Sequence, residues 1–316
     1  MQLPDSFITT IQKAFKEDGE IFLAFLPALV EDASQRWGLT DIRPVPNLSY
    51  NFVAFAKRGT EDVILKIGVP NPELNSEMVA LKLFDGDGAC QLLACDEERG
   101  FLLLERLNPG TVLADIPDDE RTNIAIDVMQ KIWRPLDSGS SLALRVLPAA
   151  EQQAVRLQSF IQLSDWFDEL KTVRPKFDGG TGPFPKKIFE RVESVLPELF
   201  ADENVKLIHG DFHHFNILLS ERGWLAIDPK GVIGPAGYEI GPLMINPWGS
   251  LSDGVSFKAQ TKRRMSILSE RLGWERESIL NWATAHAVLS TWWDTQPDGT
   301  GGEYSLWCAE MFSEIN

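Results

Sequence analysis

The stretch His209-Gly210-Asp211-Phe212-His213-His214-Phe215-Asn216 limits the folding of this chain most tightly, because it runs directly into a short β-hairpin. Ile217-Leu218-Leu219 reads as a short strand, Ser220-Glu221-Arg222-Gly223 as a polar turn closed by glycine, and Trp224-Leu225-Ala226-Ile227 as the returning strand. If Leu219 pairs with Trp224, Asn216 stands opposite Ile227, and Asp228 comes one residue later. The hairpin then sets an amide and a carboxylate side by side at one end, with Asp211 just ahead of them. Such a pair offers only oxygen to a cation, the ligation that suits magnesium held between phosphates. Asp211 is left to face an acceptor hydroxyl. The intervals His209, Asp211 and Asn216 are those of a phosphotransfer loop. Three clustered histidines also raise zinc. The helical zinc motif, however, needs two histidines four apart with a glutamate between them, and here Gly210, Asp211 and Phe212 intervene.

A second constraint lies upstream. In Val63-Ile64-Leu65-Lys66-Ile67 one lysine interrupts an apolar strand. Either Lys66 is a solvated edge residue, or it reaches into a cleft and neutralises the α and β phosphates of ATP. In the second case a carboxylate from the following helix must hold it. Glu77 lies mid-helix and is the expected partner. Glu73 is the alternative, nearer the helix start, where the dipole already favours an acid. The segment Asn47-Leu48-Ser49-Tyr50-Asn51-Phe52 lies where a phosphate-covering turn belongs and has no glycine, which leaves the Ser49 hydroxyl as a candidate contact.

Residues 6–17 and 21–37 read as helices separated at Asp18-Gly19. Strands are expected at 51–57 and 62–68, joined by Arg58-Gly59-Thr60-Glu61, then a helix at 73–84 and strands at 91–95 and 101–105. That order makes a small antiparallel sheet with one helix on it. After Asn108-Pro109-Gly110, helices are expected at 124–133, 151–171 and 185–200, with a strand at 205–208 and closing helices at 257–272 and 278–293. The pattern predicts an α+β fold in two lobes: a β-sheet lobe over residues 1–104, including the helical opening, and a larger helical lobe over 105–316. The nucleotide belongs in the cleft.

The 316 residues are enough for two lobes with a large core, and 44% hydrophobic with 24% charged residues is ordinary for a folded protein. A net charge of −16 argues against nucleic acid or an anionic membrane as the main partner and is compatible with a cationic small substrate. Cys90, Cys95 and Cys308 are too few for a disulfide framework and fit reduced thiols in a cytoplasmic protein. No signal peptide is apparent, and the longest apolar stretch, 21–30, contains Pro27 and is too short to span a bilayer.

These segments resemble the aminoglycoside phosphotransferases, and within them the streptomycin 6-kinase and hydroxyurea kinase branch. The resemblance is carried by 209–218, by Ile227-Asp228-Pro229-Lys230-Gly231-Val232, by Tyr238-Glu239, and by Leu102-Leu103-Leu104-Glu105-Arg106-Leu107 with Pro109-Gly110. It implies a protein-kinase-like bilobal fold and transfer of the γ-phosphoryl of ATP to a hydroxyl, in some relatives as antibiotic resistance. By that resemblance Asp211 is the catalytic carboxylate and His209 braces its loop. Asn216 and Asp228 hold Mg2+, Lys66 and Glu77 serve the phosphates, and the backbone around Glu105 and Leu107 meets adenine. Protein kinases place Arg before the catalytic Asp and Asp-Phe-Gly at the second metal site. Here Gly210 and Asp228-Pro229-Lys230 stand in those places, which favours a small-molecule acceptor. Lys230 is a candidate substrate contact. Glu239, Asp294 and Glu303 are candidates for ammonium or guanidinium groups of a cationic acceptor. The expected state is a monomer or weak homodimer. A kinase of an unrelated metabolite and a non-catalytic nucleotide-binding module are the alternatives.

Overall fold

The computed structural model describes residues 3–135, 160–202, 205–249, 253–296 and 299–315. Helix α1 (Asp5–Trp37) breaks at Lys16, which takes φ 50°, two residues before the break expected at Asp18-Gly19. Its two halves fold onto each other where a side chain at Gly19 would lie 2.5 Å from the Ile11 carbonyl oxygen, so glycine is what permits the contact. Phe7, Ile11, Phe22 and Leu26 of α1 are buried against one face of a five-stranded sheet.

That sheet is antiparallel, in the order β1 (Leu39–Pro44), β2 (Phe52–Arg58), β3 (Glu61–Ile67), β5 (Phe101–Glu105), β4 (Leu92–Asp96). Strand β1 was not expected. It is an edge strand, mostly exposed, bulged between Thr40 and Arg43 and ending on a proline, so neither alternation nor propensity marks it. Alternation along β3 sends Val63, Leu65 and Ile67 into the core under α1 and turns Lys66 to the opposite face. There α2 (Pro72–Phe84) packs Leu74, Met78, Leu81 and Phe84 over Leu102 and Leu104. Asn71 starts α2 by accepting bonds from the amides of Glu73 (2.8 Å) and Leu74 (3.0 Å).

The rest of the described chain is mainly helical: α3 (Asp118–Ile132), α4 (Leu163–Asp168), α5 (Val173–Lys176), α6 (Lys186–Phe200), α7 (Ile240–Ile245), α8 (Gly254–Leu272), α9 (Arg276–Asp294) and α10 (Glu303–Ser313). Helix α9 runs through its core, with Trp282, Ala283, Ala285, Ala287, Val288 and Leu289 all buried. Of the helix expected at 151–171, residues 151–159 lie outside the described residues. The remainder is broken into β8 (Ile161–Gln162), α4 and a 3-10 turn, because Ile161 and Gln162 pair in parallel with Val232 and Ile233. Helix α10 had no sequence-based expectation.

Two small sheets position the loop at 209–216. Strand β10 (Ile217–Ser220) pairs with β11 (Gly223–Ala226) and with β6 (Pro109–Val112). Strand β9 (Val205–Ile208) pairs with β7 (Arg134–Pro135) and β12 (Val232–Pro235), and β12 pairs with β8.

Candidate active site

Strand β9 delivers His209 to the head of the loop. The imidazole is fully buried, its Nε2 lies 2.8 Å from the Ile227 carbonyl, and its Nδ1 accepts from the Asp211 amide at 3.2 Å. A carbonyl only accepts and an amide only donates, so the ring is neutral with its proton on Nε2. Burial pushes its pKa down to about 4, against the pull of Asp211. Gly210 takes φ 85°, and a β-carbon there would lie 2.5 Å from Val232 Cγ2. Glycine therefore lets β12 close against the loop.

Beyond Asp211 a single turn, His214–Asn216, begins where the His213 ring accepts from the Phe215 amide. The Asn216 amide group donates to the Asp211 carbonyl at 3.0 Å, leaving Oδ1 as its remaining ligand atom. Leu219 pairs with Trp224 and Ile217 with Ala226, and the Ile227 amide bonds the Asn216 carbonyl at 2.9 Å. The hairpin register is the one read from the sequence, and it sets Asn216 beside Asp228, which holds φ 57°.

Lys66 joins the two halves of the molecule. Its buried Nζ lies 2.7 Å from both Glu77 oxygens and 2.9 Å from Asp228 Oδ1. Burial opposes the charge on Lys66, but Asp228 and Glu77 together hold the ammonium well above its usual range. Burial likewise works against the Asp228 carboxylate, and the Lys66 charge brings it below the ordinary value. Burial pushes Glu77 up to about 7 against the pull of Lys66. Glu73, the alternative partner, instead pairs with Lys230. Helix α2 also docks on the turn after Asp228: the Ser76 hydroxyl donates to the Gly231 carbonyl, and a β-carbon at Gly231 would lie 2.6 Å from the Ser76 carbonyl.

Where the sheet meets the hairpin, Arg222 from the hairpin turn grips both oxygens of Glu105 (3.1 and 2.6 Å) and the Gly86 carbonyl (2.7 Å). The Cys90 amide bonds the Ala226 carbonyl, and the Ala226 amide bonds the Gly88 carbonyl. Leu107 is buried in the core next to this junction.

Other expected contacts lie elsewhere. Glu239 is fully buried beneath the loop, not facing a substrate: its Oε1 accepts from the Gly210 amide at 2.9 Å, and Oε2 has no partner. Burial pushes its pKa up to about 8, against the bonds from the loop amides. A glutamate that carries a backbone amide is drawn inward with it, which corrects its expected role as a substrate contact. Ser49 is exposed in the β1–β2 connection. Glu303 accepts from the Gly301 amide, and the charges acting on Asp294 at the end of α9 are those of Lys13 and Glu303. Among the described residues, none of these three is hydrogen-bonded or ion-paired to the Lys66 cluster. Sequence reasoning passed over His213, whose Nε2 lies 3.5 Å from Asp211 Oδ1, and Arg222. His213 stood inside the motif. Arg222 carried no local signal, since its partners are 117 and 136 residues away.

A five-stranded sheet with α1 on one face and α2 on the other, joined to a larger helical part with a charged cluster between them, defines a kinase-like phosphotransferase fold. Solved structures of that plan superpose on this chain. Choline kinase LicA from Streptococcus pneumoniae matches with a TM-score of 0.60 at 16% identity, covering 92% of this chain and 98% of that one. Aminoglycoside phosphotransferase APH(4)-Ia, in complex with ADP and hygromycin B, matches with a TM-score of 0.53 at 14% identity over 90% and 96%. The family model for aminoglycoside/hydroxyurea antibiotic resistance kinases matches residues 36–299, and the chain belongs to that family. Among similar proteins are the streptomycin 6-kinase of Streptomyces glaucescens, 26% identical over 95% of this chain and 92% of that one, and the hydroxyurea phosphotransferase of Kitasatospora aureofaciens, 28% identical over 88% and 76%. Among the described residues no helix is long and apolar enough to cross a membrane.

Proposed function

We propose that this protein is a small-molecule kinase that transfers the γ-phosphoryl of ATP to a hydroxyl of an aminoglycoside-like or hydroxyurea-type acceptor. The observation that carries the reading is the Lys66 ammonium bonded at once to Glu77 and Asp228, with Asn216 held across the hairpin from Asp228. In this reading residues 1–104 and 105–316 form the two lobes, and the adenine meets the backbone between Glu105 and Leu107. Three free thiols fit a cytoplasmic setting.

The donor set fits magnesium. Asp228 and Asn216 would offer it oxygen, and among the described residues Glu73, Glu77 and Asp228 are ion-paired to two ammonium groups, Lys66 and Lys230, an acidic excess that a divalent cation would offset. When bound, the ion neutralises charge on the β and γ phosphates. The chain's own residues then have separate tasks. Lys66 neutralises the α and β phosphates, Glu77 fixes its ammonium, and Asn216 holds the loop's geometry through the Asp211 carbonyl. Asp211 orients the acceptor hydroxyl and receives its proton. The new P–O bond forms as the bond to the β,γ-bridging oxygen breaks, and ADP keeps that electron pair.

A phosphorylation assay over a panel of hydroxylated amines, with streptomycin and hydroxyurea included, tests the reading. Transfer to at least one acceptor is expected, and Asp211→Ala should reduce turnover by at least about 10²-fold while nucleotide still binds. Near-normal turnover in that variant removes Asp211 from its task.

A further inference from the structure

Lys230, a candidate substrate contact by sequence, is surrounded by the groups that matter. Its amide and that of Gly231 both donate to the His209 carbonyl, at 2.7 and 3.2 Å. Its side chain begins against Gly210, where an added β-carbon would sit 3.2 Å from Lys230 Cβ. Its ammonium ends on Glu73, in the first turn of α2. The stem therefore starts beside Asp211, two residues after Asp228, and crosses to the helix that carries Glu77.

The two lysines of the cleft are held differently. The Lys66 side chain is 4% exposed and the Glu77 side chain 7%, so leaving that pair would strand a buried acid. The Lys230 and Glu73 side chains are 34% and 49% exposed, and ion pairs that water reaches contribute little to stability. A phosphate oxygen can take Lys230 from Glu73 at little cost. We propose that Lys230 leaves Glu73 to contact the transferring phosphoryl group, as a second cation entering from the catalytic-loop side, opposite Lys66. This rests on the kinase reading above. As the acceptor oxygen bonds to phosphorus and the bridging oxygen departs with ADP, charge on the equatorial oxygens is met by the Lys230 ammonium, which keeps its three protons throughout. The acceptor proton still goes to Asp211.

The test measures turnover and the binding of ADP and of a non-hydrolysable ATP analogue, each with magnesium, for the wild type, Lys230→Met and Lys230→Arg. The Met variant should lose turnover by about 10²-fold, the scale set by removing one transition-state donor. Its ADP affinity should be unchanged, and its preference for the ATP analogue over ADP should fall. Lys230→Arg should restore part of both. Turnover within about threefold of wild type, or equal loss of ADP and analogue binding, overturns the assignment. If the Met variant melts early, the Arg variant decides: an altered ratio of analogue to ADP affinity supports the contact, and an unaltered ratio overturns it whatever the turnover. A wild type that binds neither nucleotide nor transfers phosphate overturns the kinase reading itself, whereas an active wild type with an equally active Met variant overturns only the task of Lys230.

Discussion

Replacing Glu239 by Gln should change how stability depends on pH more than it changes stability itself. Glu239 accepts from the Gly210 amide through Oε1, while Oε2 is buried without a partner. Burial of that carboxyl is what raises its pKa from 4.5 to about 8. A raised acid binds its proton more tightly in the folded state, so its contribution is fully present below 4.5 and is lost as pH climbs through 8. At about 1.4 kcal/mol per pH unit, the wild type should lose about 3 kcal/mol from this group between about pH 5 and 7.5. The Gln variant keeps an acceptor for Gly210 but has nothing to titrate. Its new amide hydrogens cost about 1–3 kcal/mol, equally at both pH values, so only the difference between the two slopes matters. Urea unfolding followed by tryptophan fluorescence, at both pH values, gives the four free energies. A gap between the two proteins that stays constant within about 1 kcal/mol refutes the assignment of an uncompensated buried carboxyl.

Three further outcomes are expected. Lys66→Met leaves Glu77 buried beside Asp228 without its cation and should destabilise the fold by about 3–5 kcal/mol, read by urea unfolding. His209 carries the opposite pH dependence: its pKa falls from 6.5 to about 4 on folding, so it contributes fully above 6.5 and costs about 3 kcal/mol as pH drops toward 4. His209→Gln should flatten that acid limb of an unfolding profile. Gly210→Ala should cost about 1–3 kcal/mol in backbone strain and reduce turnover by displacing Asp211. Val232→Ala in the same chain should recover part of the loss, because Val232 Cγ2 is the atom in the way.

What could be read from the letters divides by range. The hairpin from Ile217 to Ala226 was legible because a period of two and a short turn leave one register that pairs Leu219 with Trp224. Lys66 was legible because a lone charge in an apolar strand must point somewhere. The choice between Glu73 and Glu77 was half legible. They lie one turn apart on α2, and both are used, but the partner that takes Glu73 stands 157 residues away. Strand β1 escaped notice because an exposed, bulged edge makes few demands on its residues. Glu239 read as a contact for a cationic acceptor because nothing adjacent to it reveals the Gly210 amide, 29 positions earlier, that it serves. At 161–162 the expected helix gave way to pairing with β12, a tertiary demand that overrides local preference.

The grip of Arg222 on Glu105 and Gly86 bears on how the protein can flex. Together with the crossed amide bonds between Ala226 and the Gly88–Cys90 segment, it ties the end of β5 and the segment before β4 to the hairpin as one block. Within that block sit β5, which ends at Glu105, and the hairpin that runs from Asn216 to Asp228. The end of β5 and the hairpin turn therefore shift together or not at all, because both Glu105 oxygens are held by Arg222. The β1–β2 connection carrying Ser49 has no such clamp to the hairpin among the described residues and lies exposed, so the two ends of the sheet are braced unequally.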